Sequence, residues 1–316
     1  MKKLSIYFAA ALCLAMAVSC SDDEDTTTKP SIYGLTVEGG LPYVGKGTKL
    51  DYKVDVSGLY TSGDELPAQI GLYYKVNSEE SVTLTEDITN NPVLEFSYTP
   101  DASYTGGVNV TCYAYAVDES MYSATATAST QVIDQAKALT GIEGTVPGGQ
   151  KYRQAAIGDL TWMTENLYET ASGLSYKGCE VMDKIFGRYY TYEEALTACP
   201  DGWHLPTMAE WEKLPGNDTG ALMANASFLE EELWPYCKEV QITNTLKFNA
   251  IPVGYIDCTG NKESVSGENE YAIFWTASEG QDASLAAYCY IFGTNPVLQK
   301  GEGSKTSLAL SVRCVK

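Results

Sequence analysis

The residues able to do chemistry are few, and their spacing argues for contact rather than catalysis. His204 is the only histidine. A general base needs an acid or nucleophile within hydrogen-bond reach, and His204 stands between apolar residues in Trp203-His204-Leu205-Pro206. It is read as a structural histidine, hydrogen-bonded within the fold. One histidine cannot make a His-pair metal site. No G-x-S-x-G elbow occurs, so the sharp turn that presents a serine nucleophile in hydrolases is missing. No Cys-x-x-Cys spacing occurs either, which removes the usual zinc framework. The chain is read as a non-enzyme, with no catalytic residue, metal or cofactor assigned.

What remains is recognition chemistry. Residues 261–270 are mostly polar, with Gly260 just before them and Gly267 inside. They lie between expected strands, and loops on a rigid scaffold commonly carry binding. Residues 259–271 are therefore the leading binding loop, with Asn261, Glu268, Asn269, Glu270 and Tyr271 as candidate contacts. Glu268-Asn269-Glu270 offers oxygen ligands, but calcium takes about six to eight oxygens, more than this segment supplies alone. Trp234 and Tyr236, in Leu233-Trp234-Pro235-Tyr236, form a competing aromatic site.

These residues must be positioned by two folded units. Residues 31–134 read as all-β. Residues 50–56 alternate apolar and polar without a break, the mark of a half-buried strand. Residues 69–76, 93–98, 108–117 and 124–133 read as further strands, with Gly, Asn, Asp and Pro clusters between them. This spacing predicts an immunoglobulin-like or fibronectin-like sandwich. Cys112 shares the inward register with Val108 and Val110, which predicts a buried thiol without a partner. Residues 135–150, rich in glycine with Pro147, read as a linker.

Residues 151–316 mix helices and strands. Thr191-Tyr192-Glu193-Glu194 and Thr207-Met208-Ala209-Glu210 are capping boxes. The first predicts a helix through Ala198, the second a helix through about Leu214. Strands are expected at residues 187–190, 248–256, 273–278, 286–292 and 307–315.

Within this second unit run Ile157-Gly158-Asp159-Leu160-Thr161-Trp162-Met163-Thr164-Glu165-Asn166-Leu167 and Ala198-Cys199-Pro200-Asp201-Gly202-Trp203-His204-Leu205-Pro206-Thr207, then Ala209-Glu210-Trp211. Phe274-Trp275-Thr276-Ala277-Ser278-Glu279 and Ser311-Val312-Arg313-Cys314-Val315 follow. In this order they resemble the Fibrobacter succinogenes major paralogous domain. The resemblance implies an α+β variant of the C-type lectin-like fold, a display and binding scaffold without catalytic signature. It places Trp162, Trp203, Trp211 and Trp275 in the core and leaves Trp234 outside the motifs as an exposed contact. It also implies a disulfide between Cys199 and Cys314, tying the first helix to the last strand. The Glu-Pro-Asn, Gln-Pro-Asp and Trp-Asn-Asp tripeptides of calcium-dependent lectins do not occur. Residues 1–316 thus read as an all-β immunoglobulin-like sandwich followed by an α+β C-type lectin-like domain.

The start of the chain bears on location. Lys2 and Lys3 precede an apolar run at residues 4–18, too short for a bilayer span of around 20 residues but suited to a secretory signal. Ala17-Val18-Ser19-Cys20 resembles a lipoprotein processing site, so residues 1–19 are expected to be removed and Cys20 acylated. Residues 20–30 form an acidic, threonine-rich tether. Its Ser21-Asp22-Asp23-Glu24-Asp25 resembles the export signal of Bacteroidota surface lipoproteins. An outer-membrane lipoprotein exposed at the cell surface is expected, held to the membrane through its lipid alone. Nine cysteines are present; with Cys13 lost and Cys20 acylated, an odd set remains. Beyond Cys199 and Cys314, no pairing is assigned among Cys179, Cys237, Cys258 and Cys289. The formal charge of −20 excludes nucleic acid as a partner, because phosphates demand Lys and Arg. The expected work is noncovalent binding of a glycan or protein ligand. The alternative is a structural or tip subunit of a fimbria or envelope assembly.

Overall fold

The structure is a computed structural model. It describes residues 31–32, 35–56, 69–87, 93–116, 122–259 and 264–316. The expected signal, tether and Cys20, and the loop candidate Asn261, lie outside the described residues. Among those residues no helix is long and apolar enough to cross a membrane.

Two sheets face each other in the first unit. Thr36–Gly39, Leu50–Asp55 and Val93–Tyr98 form one, antiparallel throughout. The other centres on Gly106–Ala116, which pairs with Gln69–Val76 on one side and Ala126–Ile133 on the other. Val82–Asp87 extends it beyond Gln69–Val76, and Tyr43–Gly45 beyond Ala126–Ile133. Period-two alternation explains the burial: along Leu50–Asp55, Leu50, Tyr52 and Val54 are buried while Asp51 and Lys53 face solvent. Tyr52 stacks on Phe96 at 5.1 Å and Tyr74 on Phe96 at 3.9 Å. Cys112 is buried and unbonded beside Val108 and Val110, and burial pushes its thiol up to about 11.

The segment 135–150, expected as a linker, is built into the second unit. Leu139–Thr140 pairs with Ser227–Phe228, and Ala138 is buried. Apolar contact joins the two units as well. Tyr43 of the sandwich packs against Tyr176 at 6.1 Å and Phe228 at 5.5 Å.

The head is organised on one twisted sheet. Its order runs Ser264–Ser266, Tyr255–Asp257, Leu308–Ser311, Tyr271–Glu279, Leu285–Phe292, Gln299–Ser304, with Tyr189–Tyr190 also paired to Leu308–Ser311. Both capping boxes form as their sequences predict. The first opens the helix Tyr192–Ala198. The second opens Met208–Trp211, shorter than expected; Pro215 disfavours helical backbone at the residue before it.

Residues 248–254 are not a strand. Asn249 and Gly254 take positive φ, 56° and 66°, and the backbone polar groups of this buried stretch are shared between backbone partners, such as Ala250 N to the Leu222 carbonyl and Gly254 N to the Tyr271 carbonyl, and side chains. Arg313, fully buried, takes two of its carbonyls: the guanidinium donates to those of Phe248 (2.5 Å) and Asn249 (2.9 Å) and to Asn166 Oδ1 (2.7 Å). The cation also lies over the rings of Phe248 and Phe274, at 4.8 and 5.4 Å. Burial lowers its pKa to about 9, so the charge persists at neutral pH. The Cys199–Cys314 disulfide is formed and joins the end of the helix Tyr192–Ala198 to the chain just after Arg313.

Candidate functional site

On the face of the head sheet that also carries Trp275, period two brings aromatic residues together. Tyr288, Tyr290 and Phe292 alternate with the buried Cys289 and Ile291. The adjacent strand adds Tyr271, with Phe292 as its register partner, and Tyr255 lies at the same end. The helix Tyr192–Ala198 covers this face only near Trp275, where Tyr192 meets the indole at 5.5 Å. Beyond it Tyr255, Tyr271, Tyr288, Tyr290 and Phe292 are each only partly buried. Tyr271 stacks on Phe292 at 4.8 Å and meets Tyr290 at 5.9 Å; Tyr290 meets Tyr288 at 5.9 Å.

Two glycines make room for these rings. The Tyr288 ring lies across its register partner Gly301, where a Cβ would come within 2.5 Å of it. Gly267, at φ 69°, leaves space for Tyr271; a Cβ there would approach that ring to 2.7 Å. Burial raises the pKa of Tyr271 and Tyr288, reinforced at Tyr271 by the Glu270 carboxylate and at both by neighbouring phenols. The hydroxyls are therefore neutral donors and acceptors at physiological pH. A half-exposed aromatic surface rimmed by neutral hydroxyls can stack against a ring face and hydrogen-bond its edge.

The sequence-predicted candidates divide around this face. Tyr271 is part of it. Glu270 is exposed, and its carbonyl accepts from Gly293 N at 3.0 Å. Asn269 is exposed at φ 64° and donates its amide to the Pro252 carbonyl. Glu268 is engaged internally: it accepts from the Tyr176 hydroxyl and pairs with Lys177 at 3.1 Å. The loop is shorter than its polarity suggested, because Ser264–Ser266 pairs with Tyr255–Asp257 as a strand.

Trp234 is a correction. It was expected as an exposed contact but is 5% exposed. Its indole donates to the Ala250 carbonyl at 3.3 Å and its ring lies against Gly293. The partners are distant in sequence, so no local pattern betrayed the burial. Tyr236 is 59% exposed. Of the four motif tryptophans, Trp162, Trp211 and Trp275 are fully buried, whereas Trp203 is only half-buried. His204 pairs with Glu210 at 2.9 Å, beside the second capping box. Among the described residues no group of three His, Cys, Asp or Glu side chains is placed to hold a metal ion. Tyr255, Tyr288, Tyr290 and Phe292 were not singled out from sequence, although the period-two aromatics at 288, 290 and 292 were the available signal.

Fold and site define a β-rich chain in two parts: a sandwich, then a disulfide-closed head with an open aromatic face. The head belongs to a recognised family. The Fibrobacter succinogenes major domain matches residues 155–316, about half of the chain, and the chain belongs to that family. No curated protein matches it. Among solved structures, the chain is similar to a PKD domain of an M14-like peptidase from a Thermoplasmatales archaeon, at 20% identity over 33% of this chain and 96% of that one, TM-score 0.23. It is similar to a CARDB domain from Pyrococcus furiosus at 16% identity, over 35% and 100% of the two chains, TM-score 0.22. It also resembles a family 76 glycoside hydrolase from a bovine Bacteroides thetaiotaomicron strain at 12% identity, covering 45% of this chain and 30% of that enzyme, TM-score 0.22. The sandwich rests on its own two sheets, not on these likenesses.

Proposed function

We propose that the protein is a cell-surface lipoprotein whose head, a C-type lectin-like variant, binds a ligand noncovalently across the tyrosine face. A glycan is the ligand class the site favours. The observation that carries this reading is the run of Tyr271, Tyr290 and Tyr288 beside Phe292, half-exposed on a sheet otherwise packed on both faces. Flat aromatic rings with neutral hydroxyls suit pyranose rings, and binding through them needs shape rather than a tuned pKa. The sandwich serves as the spacer between the lipid on Cys20 and the head.

The test is a glycan array with the mature chain, in calcium and again in chelator. Binding that is indifferent to chelation is expected. Tyr271→Ala should weaken the identified interaction about tenfold, roughly 1.4 kcal/mol, with the melting temperature unchanged. Retained affinity in that variant would refute the face, and binding of protein but no glycan would refute the ligand class. The anchor is tested separately. Cys20→Ala should move the protein to the soluble fraction, and a variant still needing detergent would rule out acylation there.

A further inference from the structure

A second concavity lies beside the disulfide, and none of its lining residues belongs to the tyrosine face. It is a cleft of about 600 Å³, within the range of small-ligand sites. Three parts of the chain wall it: residues 149–154, residues 169–172, and the helix end with its following turn at 197–203. The last wall is held by the Cys199–Cys314 bond. Tyr152 anchors the join between the first two, since its hydroxyl accepts from the amides of Tyr168 (3.3 Å) and Glu169 (2.9 Å). The walls are therefore preorganised, which lowers the ordering cost of binding. The mouth is open: a side chain added at Gly149 would meet no atom.

The lining is mixed in a specific way. Met163, Leu167, Tyr152 and the half-buried Trp203 supply apolar and aromatic surface. Gln150 and Gln154, joined to each other at 3.2 Å, and Thr197 supply neutral donors and acceptors, whereas the Thr170 hydroxyl is engaged with the Ser172 carbonyl and the Tyr190 hydroxyl. The one lysine, Lys151, is already paired with Glu169 at 2.8 Å, and Asp201 lies at the rim. The Lys316 ammonium lies over the Trp203 ring at 4.3 Å, and the chain's charge of −20 opposes an anion. The combination of an aromatic ring, amides and hydroxyls fits a neutral polyhydroxylated ligand. We propose that this cleft binds a short neutral oligosaccharide, stacked at Trp203 and hydrogen-bonded by Gln150 and Gln154. The site is independent of the tyrosine face and stands or falls without it.

The molecule carries its own reporter. Of the five tryptophans, Trp162, Trp211, Trp234 and Trp275 are buried and only Trp203 is accessible. Acrylamide quenching of the full chain therefore reads the cleft. The probes are di- and trisaccharides of glucose, mannose, galactose and N-acetylglucosamine, each at about 10 mM, enough to reveal millimolar affinity. At least one is expected to protect Trp203 from quenching. Thr197→Phe, an exposed position whose enlargement fills the cleft, should abolish the protection. The Gln150→Ala/Gln154→Ala double variant should weaken it at least tenfold, and Tyr271→Ala should leave it unchanged. Calorimetric titration of the same variants guards against a change in Trp203 emission alone. No protection by any probe would overturn the proposal. So would protection that survives Thr197→Phe but disappears in Tyr271→Ala, which would put the sugar on the tyrosine face.

Discussion

In the sandwich, Tyr52, Val54, Leu94 and Phe96 of one sheet share a core with Val108, Val110 and Cys112 of the other. Every one is apolar in character and every one sits on a strand. In the head, the corresponding central position is held by a cation. Arg313 is buried among Phe248, Phe274 and three carbonyls, with Asn166 completing its contacts. The first arrangement tolerates any residue of suitable size and pattern, because dispersion and burial are not directional. The second is specific: Arg313 donates to the buried carbonyls of Met163, Phe248 and Asn249 and to Asn166 Oδ1, acceptors that would otherwise lose this partner. A head so built can carry long non-repetitive segments, such as residues 248–254, through its interior.

The sharpest way to break this comparison is Arg313→Met. The substitution keeps bulk but leaves the carbonyls of Met163, Phe248 and Asn249 and the Asn166 side chain without their donor. Each unsatisfied buried acceptor costs about 1–3 kcal/mol, so the head should lose on the order of 4 kcal/mol or more. The sandwich should not change. Calorimetry is expected to resolve two transitions, with only the head's moved down. A single transition that shifts as a whole would show that the Tyr43–Tyr176–Phe228 contact makes one cooperative unit of the two.

Next in size is the disulfide. It closes a sequence separation of 115 residues, for which the chain-entropy model gives about 4–5 kcal/mol as an upper guide, against typical values of about 2–4 kcal/mol. The double variant Cys199→Ser/Cys314→Ser should lower the head's melting temperature and loosen the wall that carries Trp203, raising its quenching by acrylamide. The sandwich has no disulfide among its described residues and should be indifferent to reductant. Equal destabilisation of both units by reductant would contradict this.

The same contrast explains what could be read in advance. Strands such as Leu50–Asp55 announce themselves because one face is wet and the other dry, and alternation records that directly. Val82–Asp87 escaped because it is an edge strand with Val82 exposed, so its pattern is diluted. In the head, Phe248, Ala250, Ile251 and Val253 look like a buried strand, yet Asn249 and Gly254 bend the chain, and its polar groups are met by partners far along the sequence, among them Arg313, Leu222 and Tyr271. Gln299–Ser304 carries no apolar residue at all, and forms a strand because its glycines accept the Tyr288 and Leu308 side chains. The capping boxes and the family's cysteine pair were legible because their partners are either local or fixed by motif. Trp234 was not, since what buries it lies in segments no local pattern connects.

The smallest effect concerns the second capping box, and it tests whether the head's polar design is electrostatic as well as steric. Partial burial pushes the Glu210 carboxyl up, but the Thr207 amide, the His204 ring and the Thr207 hydroxyl outweigh it and hold the group below its ordinary 4.5. The Thr207 amide and hydroxyl donate to Oε2 at 2.8 and 2.9 Å, and His204 meets Oε1 at 2.9 Å. With the folded value below the unfolded one, the unfolded chain binds more protons between the two. Glu210 therefore contributes stability that is complete above the unfolded value and lost as pH falls through the lowered folded value. Glu210→Gln keeps a side-chain acceptor for the cap but removes the charge, so at neutral pH the cost should stay under about 1 kcal/mol. Head melting followed from about pH 6 to about pH 3 should show wild type declining more steeply than the variant, the two converging at the acid end. Parallel curves across that range would show that Glu210 acts as a neutral cap and that its charge contributes nothing.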